Sequence, residues 1–222
     1  MKLKECENFW VLGVFLGAVG LFSALVLAVV SDVTGPAVAE ADKRAKSAAL
    51  KRLMGDFDND PAQEKREIDG VVFMAARRNG ALVGIAAEAE TMNGYAGKIR
   101  ELVGFSPDGR IIAVLVTEEK ETPGLGKVVC ERKFKKTIFN FFKPVPPGLP
   151  PNPILDQFSG KSAEGKSVWR VKKDGGDFEF RTGATVTSRA VTELTGRAVK
   201  VFARHRAKLV SEFGEKVAEV KR

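Results

Sequence analysis

Hydroxyl side chains are concentrated in residues 181–188, which read Arg-Thr-Gly-Ala-Thr-Val-Thr-Ser. Gly183 and Ala184 are small, so a phosphate could approach the backbone closely between the hydroxyls. These residue types and their spacing point to phosphate chemistry, and the four hydroxyl residues that could take part are Thr182, Thr185, Thr187 and Ser188.

The residues on either side predict the elements that must position these hydroxyls. Residues 178–180 alternate like a strand, and apolar residues recur at steps of three and four between positions 191 and 209, which is helical spacing. The stretch is therefore predicted to be a turn from a strand into a helix, with Thr187 or Ser188 as the N-cap. A helix N-terminus favours a phosphate because it carries unpaired amides and the positive end of the dipole. From the pattern alone, a phosphate site and ordinary capping both remain open.

A second informative loop, residues 118–126, reads Glu-Glu-Lys-Glu-Thr-Pro-Gly-Leu-Gly. One Pro and two Gly predict a fixed, irregular loop whose backbone can approach a ligand. The three acidic side chains, Glu118, Glu119 and Glu121, could be merely a solvated face, and no role in proton transfer is assigned to them.

Both stretches resemble hallmarks of one known family. Residues 179–191 are similar to the flavin-attachment motif of the FMN-binding domain family, with Glu179 where the family usually has Asp. Residues 121–126 match the family's second hallmark, about sixty positions earlier and in the expected order. The resemblance implies covalent FMN, joined by a phosphoester bond to Thr185. It also implies flavin or phosphate contacts from Thr182, Gly183, Ala184, Thr187, Ser188, Glu121, Thr122, Pro123, Gly124 and Leu125.

Finer roles follow from the same resemblance. Thr187 and Ser188 would hydrogen-bond the phosphate oxygens, and residues 122–125 would cover a face of the ring. Arg181 is a candidate counter-charge for the phosphate. Tyr95, the only Tyr of the chain, is either a flavin contact or an ordinary turn aromatic.

The function implied by the resemblance is that of an electron-carrier subunit of a membrane-bound, ion-translocating ferredoxin:NAD oxidoreductase of the Rnf type. Its partners would be the other membrane subunits, and a flavin transferase would attach the FMN. Three alternatives stay open: the C subunit of the sodium-translocating NADH:quinone reductase, a stand-alone membrane-anchored flavoprotein reductase, and a binding module without redox chemistry.

The N-terminus predicts a membrane anchor. Residues 9–30 contain no charged residue, and this helix would be about 33 Å long, enough to cross a bilayer core. Residues 37–39 fit a signal-peptidase site, but the apolar run is longer than that of a cleaved signal, so a retained anchor is favoured. The flanking charges leave the orientation ambiguous. The resemblance implies a cytoplasmic tail at residues 1–8 and a domain on the periplasmic side of a bacterial inner membrane.

The rest of the chain predicts an α+β fold, with one FMN-binding domain of antiparallel hairpins flanked by helices. Residues 31–69 are interpreted as a hinge at 31–36, a helix at 37–54 capped by Gly55, and an acidic loop at 56–69. The domain, residues 70–210, is predicted to contain hairpins at 71–87 and 99–117, a helix at 127–143, a Pro-rich connector at 144–153, a strand at 168–171 and a C-terminal helix ending near 210. Residues 211–222 are interpreted as a charged tail.

Other features limit the function further. The net charge is +8, yet no aromatic–basic interleaving or zinc-finger spacing indicates a nucleic-acid partner. Cys6 and Cys130 lack paired metal-ligand spacing and are interpreted as free thiols. His205, the only His, is interpreted as structural. No catalytic residue and no metal site are predicted.

Overall fold

The computed structural model describes residues 4–61, 63–134 and 148–220, and the chain divides into two units, residues 1–46 and 47–222. Helix α1 (Lys4–Met54) is continuous through residues 31–36, so the predicted hinge is wrong. Pro36 removes only one amide donor from the helix, and the neighbouring Thr34 hydroxyl donates back to Val30 O at 2.7 Å. Among the described helices, α1 alone is long and apolar enough, over Phe9–Met54, to cross a membrane.

The second unit is built on a five-stranded antiparallel sheet in sequential order. The strands are β1 (Lys65–Ile68), β2 (Val71–Arg78), β3 (Ala81–Gly94), β4 (Gly97–Phe105) and β5 (Ile111–Glu118). Both predicted hairpins and the α+β class are confirmed. Strand β1 was missed, because residues 56–69 were interpreted wholly as a loop.

Two-residue turns explain much of this sheet. Asn79 and Gly80 have φ values of 52° and 80°, as the predicted hairpin turn requires. Asp69 and Gly70 have φ values of 50° and 71° and join β1 to β2 in the same way. The Asp-Gly pair was therefore the signal that could have revealed the extra strand.

The helices cover both faces of the sheet. Besides the end of α1, the helices are α2 (Gly126–Cys130), α3 (Pro153–Asp156) and α4 (Thr185–Val220). Helix α4 packs on one face, where the rings of Phe105 and Phe202 stack with centroids 4.1 Å apart. The last turn of α1 packs on the other face through Leu50, Leu53 and Met54. The next residue, Gly55, has a φ of 78°, which fits the predicted cap.

Several predicted elements differ from the structure. The helix expected at 127–143 ends at Cys130 in its described part, and residues 135–147 lie outside the described residues. The strands expected at 168–171 and 178–180 are replaced by one isolated bridge between Val171 and Phe178. Helix α4 continues to Val220, so the tail expected from 211 is helical as far as it is described. Cys130 is a buried free thiol, whereas the side chain of Cys6 lies outside the described residues.

Candidate functional site

The hydroxyl-rich stretch forms a tight turn followed directly by α4. The amide of Ala184 donates to Arg181 O at 3.0 Å, and Gly183 between them has a φ of 85°. A positive φ at the third position of a four-residue turn favours Gly. Because this turn closes at Ala184, α4 starts at Thr185. The prediction of Thr187 or Ser188 as the N-cap is therefore wrong, since both lie inside the first helical turn.

The position of the helix start separates the four hydroxyls into two pairs. Thr187 is 1% exposed and donates to Glu121 Oε2 at 2.9 Å. Ser188 is fully buried, donates to Ala184 O at 2.9 Å and accepts from Arg181 N at 3.2 Å. Both hydroxyls are thus engaged by protein groups in the interior, and the expected contacts from them to a phosphate do not fit this arrangement.

The other pair faces the surface. Thr182 is exposed and Thr185 is half-buried, and neither side chain hydrogen-bonds to any described residue. Thr185 is the first residue of α4, where the leading amide groups have no acceptor within the helix. An accessible hydroxyl therefore lies beside amide donors that suit an anion.

The second loop packs against this turn. Leu125 N donates to Thr122 O at 3.2 Å, with Pro123 and Gly124 at the two central positions and a φ of 79° at Gly124. This is the residue order that a type II turn favours. Leu125 Cδ2 lies 3.3 Å from the point where a Cβ on Gly183 would stand. The two stretches singled out in the sequence therefore meet in space.

Glu121 joins a third segment to these two. The residue is 4% exposed, so the possibility that Glu121 is part of a solvated face is wrong. Oε2 accepts from Thr187, and Oε1 accepts from Ala96 N at 3.3 Å. Ala96 and Tyr95 form the two-residue tip between β3 and β4, which brings the 73%-exposed Tyr95 to the same region.

Asn152 holds α2, which follows the loop at 122–125, against the start of α3. The sequence analysis did not single out this residue. Its Nδ2 donates to the carbonyl groups of Val128, Val129 and Glu131, and its Oδ1 accepts from Ile154 N at 3.0 Å. One buried amide therefore caps the end of α2 and the start of α3. The Asn-Pro pair at 152–153 was a usable signal, because Asn followed by Pro is typical of a helix N-terminus.

An aromatic cluster holds the segment that leads into the turn. Trp169 stacks on Phe178 with ring centroids 4.7 Å apart, and Phe158 lies 5.0 Å from Phe178. Gly196 of α4 makes room for this cluster, since a Cβ there would lie 2.4 Å from Trp169 Cβ. Packing against α4 thus replaces the strand that was expected to position Thr185.

Ionic contacts hold the same segment against α4. Arg189 of the second helical turn donates to Asp174, which ends a short 3₁₀ turn at Lys172–Asp174. This hydrogen bonding holds the pKa of Asp174 below its usual value. The segment that contains the 3₁₀ turn is therefore tied to α4 one helical turn after Thr185.

Deeper in the interior, α4 contacts a second buried acid. Glu101 of β4 is fully buried, and Thr195 Oγ1 lies 2.9 Å from its Oε1. Its Oε2 has no hydrogen-bond partner among the described residues. Burial raises the pKa of Glu101 to about 8.

Comparisons with known proteins agree with the geometry of the site. A family model described as the FMN-binding domain matches residues 94–200, which include the hairpin tip at 95–96, the loop at 122–125 and the turn at 181–184. A protein from Cereibacter sphaeroides, named as the G subunit of an ion-translocating oxidoreductase complex, is 33% identical over 90% of this chain and 86% of its own. Proteins of the same name from Pseudomonas aeruginosa and Shewanella piezotolerans are 31% and 29% identical, over 88% and 95% of this chain and 89% and 95% of their own.

Identity and coverage at this level show the family. The chain belongs to the FMN-binding domain family, in the group formed by the G subunits of ion-translocating oxidoreductase complexes.

Proposed function

We propose that this protein carries FMN in a phosphoester bond to Thr185 and serves as an electron-carrier subunit of a membrane-bound, ion-translocating oxidoreductase of the Rnf type. The observation that carries the proposal is the sorting of the four hydroxyls. Thr187 and Ser188 are buried on protein partners, whereas Thr185 is accessible, unbonded among the described residues and placed at the start of α4.

The residues around Thr185 fit the phosphate of FMN. Gly183 has no side chain to block an approach to the backbone, and it lies exposed beside Thr185. The first amide groups of α4 have no acceptor within the helix and would donate to phosphate oxygens. Arg181 is exposed within the same turn and supplies a positive charge near the phosphate.

Apolar side chains next to the turn fit the ring. Leu125 and Val186 are 47% and 43% exposed, and Leu125 lies against Gly183. Exposed apolar groups beside a tethering point would gain free energy by covering an aromatic ring. Tyr95 at the hairpin tip is the third side chain available for that contact.

When bound, FMN supplies the electron-transfer chemistry, and the protein supplies position and electrostatics. Attachment exchanges the hydroxyl hydrogen of Thr185 for the phosphoryl group of FMN, so an Oγ1–P bond forms and the leaving group of the flavin donor departs from phosphorus. A flavin transferase performs this step once. Thr185 then acts as a permanent tether, because the ester leaves the ring unaltered.

The partners in this proposal follow from the name that the relatives carry. Residues 9–30 form a retained, single-pass anchor in the bacterial inner membrane, and the FMN domain lies on the periplasmic side. Neighbouring redox subunits of the complex would pass electrons to the flavin and take them from it.

The test is peptide mass mapping of the full-length chain produced with a flavin transferase. We expect the peptide that contains Thr185 to gain the mass of FMN less one water. Thr185→Ala should abolish this gain, while the matched variant Thr182→Ala, in the same turn, should keep it. Flavin that remains attached in Thr185→Ala, or wild-type protein of unmodified mass despite an active transferase, would refute the assignment.

A further inference from the structure

We infer that Glu121 is a positioning residue rather than a group that contacts the flavin. It fixes three segments in one geometry: the turn at 181–184 (the attachment turn), the loop at 122–125 and the β3–β4 tip at 95–96. This inference rests on the proposed attachment of FMN at Thr185. It assigns to Glu121 a role different from the flavin contact that the sequence suggested.

The carboxyl group bridges segments that are far apart in the chain. Oε1 accepts from Ala96 N at 3.3 Å, and Oε2 accepts from Thr187 Oγ1 at 2.9 Å. The residue's own amide donates to Glu119 Oε2 at 2.6 Å, which holds the start of the loop. Three backbone segments, separated by 25 and 66 positions from one another, are therefore joined through one side chain.

Two glycines leave the space that the carboxyl group occupies. A Cβ on Gly94 would lie 2.7 Å from Glu121 Oε1, and a Cβ on Gly126 would lie 2.3 Å from Glu121 Oε2. The Cβ on Gly126 would also lie 2.6 Å from Thr187 Oγ1. Neither glycine has a positive φ. The close approach of Glu121 and Thr187 explains the missing side chain at Gly126, whereas a Cβ on Gly94 would also lie 2.5 Å from Gly97 O.

Burying a carboxyl group costs free energy unless its oxygens receive hydrogen bonds. Here both oxygens are satisfied, and both donors come from the segments that border Thr185 and Tyr95. The burial of Glu121 also turns its side chain away from the surface on which a flavin would lie. Its effect on attachment must therefore act through the placement of Thr185 and Leu125.

The size of such an effect follows from the precision that group transfer needs. A displacement of about 1 Å at a reacting group can lower a rate by about a hundredfold. Without the Glu121 carboxyl group, the hydrogen bonds that hold the loop at 122–125 to Thr187 and to Ala96 are lost. We expect Glu121→Ala to lower the initial rate of flavin attachment by about tenfold or more.

Helix α4 offers a matched control. Thr195 and Glu101 form a second buried hydroxyl–carboxyl contact, also at 2.9 Å, eight residues further along the helix from Thr187. Thr187→Val and Thr195→Val each remove one such contact with a similar change in shape. Only the first variant alters a group next to the attachment turn.

The experiment measures the rate at which purified flavin transferase labels the full-length apo-protein in detergent. Rates are taken at several chain concentrations and corrected for the folded fraction. We expect Glu121→Ala and Thr187→Val to be slow, Thr195→Val to match the wild type, and Glu121→Gln to recover most of the rate. The Gln amide can still accept from Ala96 N, and its NH₂ group can donate to the Thr187 oxygen.

Hydrogen exchange at the Ala96 amide provides a readout that needs no flavin. It should speed up in Glu121→Ala and stay slow in Thr195→Val. Labelling of Glu121→Ala at the wild-type rate, or an equal loss in Thr187→Val and Thr195→Val, would overturn the inference while leaving the tether at Thr185 intact. A wild-type chain that accepts no flavin would refute the proposed function, whereas unchanged Ala96 exchange in Glu121→Ala would by itself refute the bridge.

Discussion

Glu101→Gln tests whether the interior of this domain holds a neutral acid. Thr195 Oγ1 lies 2.9 Å from both Val191 O and Glu101 Oε1, although a hydroxyl has only one hydrogen to donate. If Glu101 is protonated, it can donate to Thr195, and Thr195 can donate to Val191. The other charged or titratable groups that act on this site are Arg197 of α4 and the thiol of Cys130 of α2.

The direction of the pH effect follows from the pKa of Glu101. Burial raises it from 4.5 in the unfolded chain to about 8 in the folded domain, against smaller opposing effects of the Thr195 hydrogen bond and Arg197. Between these two values the folded state holds the proton more tightly than the unfolded state. The contribution of Glu101 to the free energy of unfolding is therefore fully present below pH 4.5 and is lost as pH rises toward 8, by a total on the order of 5 kcal/mol.

The assay is urea unfolding of the full-length chain in detergent, followed at several pH values between 5 and 8.5 by the fluorescence of buried Trp169. The wild type should lose stability across this range, and Glu101→Gln should lose much less because its amide does not ionise. Glu90→Gln serves as a control, since hydrogen bonds from Arg100 and Lys98 lower the pKa of Glu90, so Glu90 stays ionised across this range and its replacement should leave the pH profile parallel to that of the wild type. Parallel pH profiles for the wild type and Glu101→Gln would refute the neutral acid.

Two further predictions concern packing. Gly196→Ala should lower the stability of the domain by about 1–3 kcal/mol despite the higher helix propensity of Ala, because the new Cβ would lie 2.4 Å from Trp169 Cβ; an unchanged or higher thermal midpoint would contradict this. A chain beginning at residue 47 should fold and stay monodisperse, whereas one beginning at residue 56 should aggregate. The shorter chain lacks the buried side chains of Leu50, Leu53 and Met54, whose burial contributes on the order of 5 kcal/mol to the stability of the domain. Size-exclusion chromatography of both chains measures the difference, and equal elution profiles would argue against a stabilising role for the cluster around Leu50, Leu53 and Met54.

The parts of the fold that sequence could predict are those set by local rules. Asn79-Gly80 specifies its turn through two residues that tolerate positive φ, so the hairpin around it was predictable. Pro123-Gly124 specifies a second turn in the same way. Such pairs determine a turn within four consecutive residues, so they can be recognised in the sequence. Asp69-Gly70 is a pair of the same kind and could have predicted the turn between β1 and β2.

The parts that escaped prediction depend on distant residues. Glu121 is buried because Gly94 and Gly126 leave room for it and because Thr187 supplies a donor 66 positions away. No local pattern distinguishes such a Glu from a solvated one. The start of α4 was misplaced for a different, local reason: the turn at Arg181–Ala184 begins the helix at Thr185, before the Thr187 and Ser188 hydroxyls that resemble caps.

The four hydroxyls of residues 182–188 divide into a buried pair and a more accessible pair, and the proposed tether belongs to the second pair. Thr187 and Ser188 have a structural role because their hydrogen bonds end on Glu121 and on Ala184 O. Thr185 lies outside that network and is half-buried. A tether must be reactive once and then hold its position, so it requires a free hydroxyl on a rigid support. Helix α4 meets both requirements, since its first residue faces the surface and the same helix packs against the sheet through Phe202.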